Sequence, residues 1–184
     1  MTIIRKAKTT DANAIARVVV DTWRSTYVGI VPSEYLESLS YSKAADRWRG
    51  NLSDMDKVWP GWFVYVAEED GKVFGFAGGG PSNDYGLPFS GELGFIYLLK
   101  ANQREGTGRQ LAATVASRLK QEGYPSMVVW VFTQNPYRAF YKALGGRVVA
   151  DRFVDRYGGH IAETAYGWDD LDCFNTTLRR SSTI

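Results

Sequence analysis

Glu92-Leu93-Gly94-Phe95-Ile96-Tyr97-Leu98-Leu99-Lys100-Ala101-Asn102-Gln103-Arg104-Glu105-Gly106-Thr107-Gly108-Arg109-Gln110-Leu111 changes its period halfway along. Up to Leu99 it is an apolar, aromatic-rich run suited to a strand. From Gly106 to Glu122 the pattern is helical: Leu111, Val115 and Leu119 share one stripe beside Ala112 and Ala116, and Gly123 stands where a helix stop is expected. A strand therefore hands over to a helix at Gly106-Thr107-Gly108. The first amides of a helix have no partner inside it and lie at the positive end of its dipole, so such a corner attracts anions. Gly106 and Gly108 permit positive φ and close approach of a ligand, and Lys100, Arg104 and Arg109 add positive charge. A pyrophosphate suits the corner. Taken alone, Gly-x-Gly ahead of a helix is equally well explained as a tight turn.

On the amino-terminal side, Ile3 to Lys8 alternates as a half-exposed strand would, and Thr10 and Asp11 can cap a helix running to about Tyr27. Residues 33–50 read as a broken helix and 54–61 as a loop. Trp62 to Glu68 and Lys72 to Gly78 flank Asp70-Gly71, a strong hairpin signal, and Glu92 to Leu99 follows as a third strand. On the carboxyl side, Ser126 to Phe132 is a continuous apolar run, as expected of a central strand buried on both faces. Asn135-Pro136 opens another helix as N-cap and first residue, ended by Gly145-Gly146. Arg147 to Asp155 and His160 to Trp168 form a last hairpin around Gly158-Gly159. The order β-α-α-β-β-β-α-β-α-β-β predicts one α+β domain over residues 1–168 around a mixed sheet, with a polar tail from 169 to 184.

The bulk properties narrow the function. The chain has 184 residues, 45% hydrophobic and 23% charged, with a net charge of +2 spread along its length rather than gathered into the basic stripe of a nucleic-acid binder. One Cys and one His make a disulfide impossible within the chain and a zinc site improbable. No apolar stretch is long enough for a signal peptide or a membrane span, so the cytoplasm is the default location. A Ser-His or Cys-His mechanism would have to rest on His160 alone, beside a hairpin turn. A P-loop would need Lys-Ser or Lys-Thr after its second Gly where Arg109-Gln110 stands, and a dinucleotide fingerprint would need Gly at Leu111.

Gln103, Gly106 and Gly108, behind the strand Glu92 to Leu98, resemble the Gln/Arg-x-x-Gly-x-Gly/Ala signature of the GNAT superfamily of acyl-CoA N-acyltransferases. Asn135-Pro136-Tyr137-Arg138-Ala139-Phe140-Tyr141-Lys142-Ala143-Leu144-Gly145-Gly146 is similar to a second block of that family, and the likeness spans residues 3 to 168. Arg104 occupies a place where many members carry Gly. The resemblance implies a GNAT-like fold and transfer of an acetyl group from acetyl-CoA (coenzyme A as carrier) to a small-molecule or peptide amine. It implies that Gln103, Arg104, Glu105, Gly106, Thr107, Gly108 and Arg109 hold the pyrophosphate. Backbone at Ile96, Tyr97 and Leu98 would pair with the pantetheine arm, which Asn135 also contacts. A homodimer is common among similar proteins.

Transfer to an amine needs a base for the ammonium proton and an acid for the departing thiolate. Glu92 is the first candidate base, in a strand where it would share a face with Gly94, Ile96 and Leu98; Glu163 on the last hairpin is the other, and either could instead be an ordinary strand carboxylate. Tyr141 is the candidate acid, although Tyr137, Phe140, Tyr141 and Leu144 also form a stripe that core packing would explain. Trp23, Tyr27, Tyr35, Trp48, Trp59 and Trp62, with Glu34, Glu37, Asp46, Asp54 and Asp56, could hold a cationic amine or simply form core. A non-catalytic acyl-CoA sensor fits the same motifs, and a nucleotide-binding regulator is a third reading of the glycine corner.

Overall fold

The computed structural model describes residues 1–84 and 86–174. Seven strands form one mixed sheet: β1 (Ile3–Lys6), β2 (Phe63–Glu69), β3 (Lys72–Pro81), β4 (Gly91–Leu98), β5 (Met127–Phe132), β6 (Arg147–Arg156) and β7 (Gly159–Trp168). Their spatial order is β1-β2-β3-β4-β5-β7-β6. The first four are an antiparallel meander, and β5, β7 and β6 are antiparallel to one another. The two sets meet at the parallel pair β4–β5. Six helices flank the sheet: α1 (Ala12–Thr26), α2 (Ser33–Ser38), α3 (Tyr41–Ser53), α4 (Met55–Val58), α5 (Thr107–Gln121) and α6 (Ala139–Ala143). The α+β architecture expected from the sequence is the one observed. No helix among the described residues is long and apolar enough to cross a membrane.

Each face of the sheet has its own core. On one, α5 lays Leu111, Val115 and Leu119 against Ala77, Leu93, Met127 and Val129. On the other, Ile15 and Val18 of α1 pack on Val64, Val66 and Phe76. β5 is buried on both faces, which is why its sequence shows no alternation. The β2–β3 turn has Asp70 at φ 50° and Gly71 at φ 73°, the double left-handed geometry that a tight hairpin requires. Tyr157 and Gly158 repeat it between β6 and β7 at 57° and 77°.

Four local expectations change. Asp11 precedes α1 without capping it by its side chain; its carboxylate accepts both Arg5 Nη atoms, at 2.7 and 2.9 Å, and the Lys8 amide at 2.7 Å. A bidentate charged pair outweighs a single cap bond, and Arg5 also reaches Glu68 at 2.6 Å, tying β1 to β2 and to the start of α1. The expected loop at 54–61 contains the single turn α4, with Met55 packed on the α1-side core. Asn135 caps an isolated turn, its Oδ1 accepting from Tyr137 N at 2.8 Å, and regular helix is confined to Ala139–Ala143. The packed unit also runs past residue 168. Leu171 and Phe174 are buried in the α5-side core, and Leu171 N donates to Pro125 O at 3.3 Å. Residues 175–184 of the expected tail lie outside the described residues.

Two glycines make opposite predictions from one substitution. A Cβ on Gly79 would sit 2.5 Å from the Glu92 carbonyl oxygen and 2.7 Å from Val115, whereas a Cβ on Gly50, inside α3, meets nothing within 4 Å. Urea unfolding is expected to show Gly79→Ala destabilised by about 1–3 kcal/mol and Gly50→Ala stabilised by about 0.5–1 kcal/mol.

Candidate active site

The site begins where the sheet opens. β4 and β5 pair only at Gly91↔Met127 and Glu92↔Val128, beyond which they separate. The gap is a cleft of ≈ 590 Å³ lined from β4 by Glu92 and Gly94 to Leu98, from β5 by Val129 to Phe132, and from α1 by Thr22, Trp23, Thr26 and Tyr27. On its β3 side, β4 carries a bulge: Gly78 pairs with Phe95 and Gly79 with Leu93, leaving Gly94 as the extra residue. The bulge corrects the expected facing of Glu92. One inserted residue shifts the alternation, so Ile96 and Leu98 turn toward the α5-side core while Phe95 and Tyr97 pack on the α1 side. Glu92 pairs with Gly80 and shares its side of the sheet; a Cβ on either Gly80 or Gly94 would strike Trp62, at 2.5 and 2.4 Å.

At one end of the cleft stands the glycine corner. Gln103 folds back so that its Nε2 donates to Leu98 O at 3.2 Å, closing the loop. Arg104 at φ 70° and Gly106 at φ 84° are both left-handed. A non-glycine residue there carries about 1–2 kcal/mol of backbone strain, which accounts physically for the preference for Gly at the Arg104 position. The first bond of α5 is Gln110 N to Gly106 O at 3.1 Å, leaving the Thr107, Gly108 and Arg109 amides without a partner among the described residues. The two glycines do different work. Gly106 supplies the left-handed turn, while Gly108 makes room, since its Cβ would lie 3.2 Å from Leu98 and 3.3 Å from Phe140. Gln103, Arg104, Gly106, Gly108 and Arg109 line the cleft. Glu105 faces solvent and the Thr107 side chain is buried under the corner, so only their backbone can take part.

Tyr141 and Asn135 line the same cleft, opposite β4. The Tyr141 ring stacks on Tyr166 at 5.6 Å and 25°, and only 7% of the residue is exposed. It is core and cleft wall at once. Burial pushes its phenol well above the usual range, so it stays protonated. Tyr97, next to it across the cleft, is pushed up to about 12 by the same loss of solvent.

At the other end lie the carboxylates. Burial raises the Glu92 carboxyl; Arg152 opposes the shift, Asp84 adds to it, and Arg156 and Glu163 contribute less in opposite senses. Glu92 makes no hydrogen bond with a described residue, so it has a lone pair to offer. Glu163, 5% exposed, is held by Arg152 Nε at 2.8 Å. Arg152 lies 3.7 Å from the Trp130 ring centroid and 3.4 Å from Asp84, to which Trp130 Nε1 also donates at 3.0 Å. Sequence reading missed Arg152 and Arg156; the available signal was two arginines at even spacing on a strand whose other positions alternate. Of the early aromatics, Trp23 and Tyr27 reach the cleft, while Trp48, Trp59 and Trp62 cluster over Phe76 and Phe95 behind it. Glu34, Glu37, Asp46, Asp54 and Asp56 do not line it. His160 sits at the hairpin tip, paired with Asp155 at 2.7 Å and stacked on Phe153, outside the cleft.

Comparison with known proteins agrees with this arrangement. A family model described as FR47-like protein matches residues 86–154, from just before β4 to β6. YuaI of Bacillus subtilis, named an uncharacterized N-acetyltransferase, is 42% identical over 180 residues, 98% of this chain and 100% of its own. The PaiA N-acetyltransferase of Thermoplasma acidophilum, solved with coenzyme A, superposes with a TM-score of 0.70 over 89% of this chain and 98% of its own at 22% identity. YncA of Salmonella typhimurium, solved with acetyl-CoA, gives 0.69 over 93% and 94% at 23% identity. The chain belongs to the GNAT superfamily of acyl-CoA-dependent N-acyltransferases.

The raised Glu92 carboxyl has a cost in stability. Its folded pKa lies above the unfolded value, so the charged form opposes folding above both values and the penalty vanishes below the unfolded one. Glu92→Gln is expected to raise the thermal midpoint at about pH 8 and to leave it unchanged near about pH 3.5. Calorimetry at the two pH values checks the difference.

Proposed function

We propose that this chain moves an acetyl group from acetyl-CoA to a primary amine by direct attack, with both substrates bound together. The observation that carries the reading is one cleft lined by Gly108 and Arg109 with their unpaired amides, the protonated phenol of Tyr141 and the unbonded carboxylate of Glu92. The likeness to YuaI, and to folds solved with coenzyme A and acetyl-CoA, supports the donor.

The amides at the start of α5, with Arg104 and Arg109, take the diphosphate at the positive end of the helix. The pantetheine arm lies in the gap between β4 and β5, pairing with the freed edge of β4 at Ile96 to Leu98 as an added strand, with Asn135 at its side. A β4 amide near the bulge polarises the thioester carbonyl. A lysine-like amine is charged at neutral pH, and removing its proton costs about 4–5 kcal/mol at pH 7. Glu92 accepts that proton, directly or through water, and its raised pKa makes it a stronger base for the task. The nitrogen bonds to the carbonyl carbon and gives its second proton to solvent, the C–S bond breaks, and the sulfur takes the proton of Tyr141, which solvent later restores. In water, phenol and thiol differ by about 1.5 units. Burial lifts the phenol here, but the departing sulfur loses its solvent in the same cleft, so the two acids climb together.

Tyr141→Phe is expected to lower kcat about 100-fold with acetyl-CoA affinity little changed, as measured by thiol release and titration. In the wild type kcat/KM should fall as pH drops through the raised Glu92 pKa, because the protonated carboxyl cannot accept; Glu92→Gln should be slow and lack that limb. A full rate in Tyr141→Phe overturns the acid assignment. Acetyl-CoA binding without thiol release on any amine of a broad panel replaces the enzyme with an acyl-CoA sensor.

A further inference from the structure

We infer that the amine acceptor carries a carboxylate, held by Arg156 at the end of the cleft where Glu92 receives the amine proton. The inference rests on the acetyl-transfer reading and names the substrate class for it.

The argument is an accounting of polar groups. At this end of the cleft Arg152 and Glu163 are used up on each other and on Asp84. Two groups remain. Among the described residues Glu92 makes no hydrogen bond and Arg156 forms no salt bridge, having only the Tyr157 hydroxyl as a partner, and both line the cleft. Arg156 is always charged, and its planar fork matches a carboxylate. One carboxylate without a hydrogen bond and one guanidinium without a salt bridge, both lining the same cleft, complement a zwitterion.

The walls add to this. Trp23 meets Tyr27 and Tyr157 edge to face, each at 4.8 Å, and Tyr27 meets Phe132 at 5.0 Å. Tyr157 holds a left-handed backbone at φ 57°, unusual for an aromatic residue, with its ring also 4.9 Å from Tyr35. That packing fixes the hairpin end that bears Arg156. The acceptor is thus an amino acid or similar amino-carboxylate with an apolar or aromatic side chain. A polyamine or a protein lysine would set its positive charges against Arg156 and leave the guanidinium unanswered.

The test compares the common α-amino acids with their carboxamides as acceptors for the full chain with acetyl-CoA, read as thiol release. The acids are expected to exceed the amides by about 10- to 100-fold in kcat/KM, mostly through KM, as a charge-assisted pair implies. Arg156→Gln should abolish the preference by weakening the acids alone, and Arg156→Lys should keep part of it. Amides as good as acids, as for a peptide amino terminus, overturn the proposal, as does an Arg156→Gln variant that slows both alike or a panel in which no acid is acetylated. If acetyl-CoA itself fails to bind, the transfer reading falls and takes this one with it; if simple amines are acetylated without a carboxylate preference, only the acceptor assignment falls.

Discussion

Two residue pairs, Gly91↔Met127 and Glu92↔Val128, join the halves of the sheet, and everything of functional interest follows from their being so few. A longer parallel ladder would satisfy the edges of β4 and β5 and seal the space between them. Here the strands are held together at one end and part at the other, so each offers unpaired backbone to the interior of the molecule. Such exposure is tolerable because α1 and the β6–β7 hairpin wall the gap. The helix that follows β4 begins beside the opening, so its unpartnered amides point at the place where a long, anionic-tailed molecule would enter.

The bulge at Gly94 is the second device. It turns Glu92 and Phe95 to the side of the sheet facing α1 and sends Ile96 and Leu98 to the other, so one strand serves both the α1 face and the α5 core. The bare backbone of Gly80 and Gly94 is covered by Trp62 rather than by side chains of their own. Around Glu92 the charges are graded. Arg152 neutralises Glu163 and is itself fixed by Trp130 and Asp84, which leaves Glu92 to respond to burial. Two carboxylates in one cleft are thereby given different environments, one paired and one not.

Much of the fold was legible because its signals are local. Asp70-Gly71 announces a two-residue turn, the unalternating Met127–Phe132 run announces a doubly buried strand, and Gly106 marks the left-handed start of α5. The residues at the corner and on α6 were singled out through the family resemblance of their motifs, since their spacing alone fits a tight turn and a core stripe equally well. What escaped was non-local. No pattern within Glu92 to Leu98 reveals that Gly94 is unpaired, because a bulge is defined by the partner strand. Asp11 looked like a cap until Arg5 competed for it. Arg152 and Arg156 carry no local signal beyond their even spacing that singles them out, and only the fold of the hairpin over the cleft brings them to its wall. Leu171 and Phe174 stand among polar residues, and their burial depends on the underside of α5 being open to them.

The strand order has a consequence for synthesis. β7, the last strand among the described residues, lies between β5 and β6, so β5 obtains its long ladder from residues 163–168. During translation β5 leaves the ribosome with a two-residue hold on β4 and a bare, wholly apolar edge, and stays so until the final hairpin emerges. A nascent chain arrested before that point would carry Met127–Phe132 as an open template for association with other chains. Closure of the carboxyl-terminal half of the sheet waits on residues 159–168.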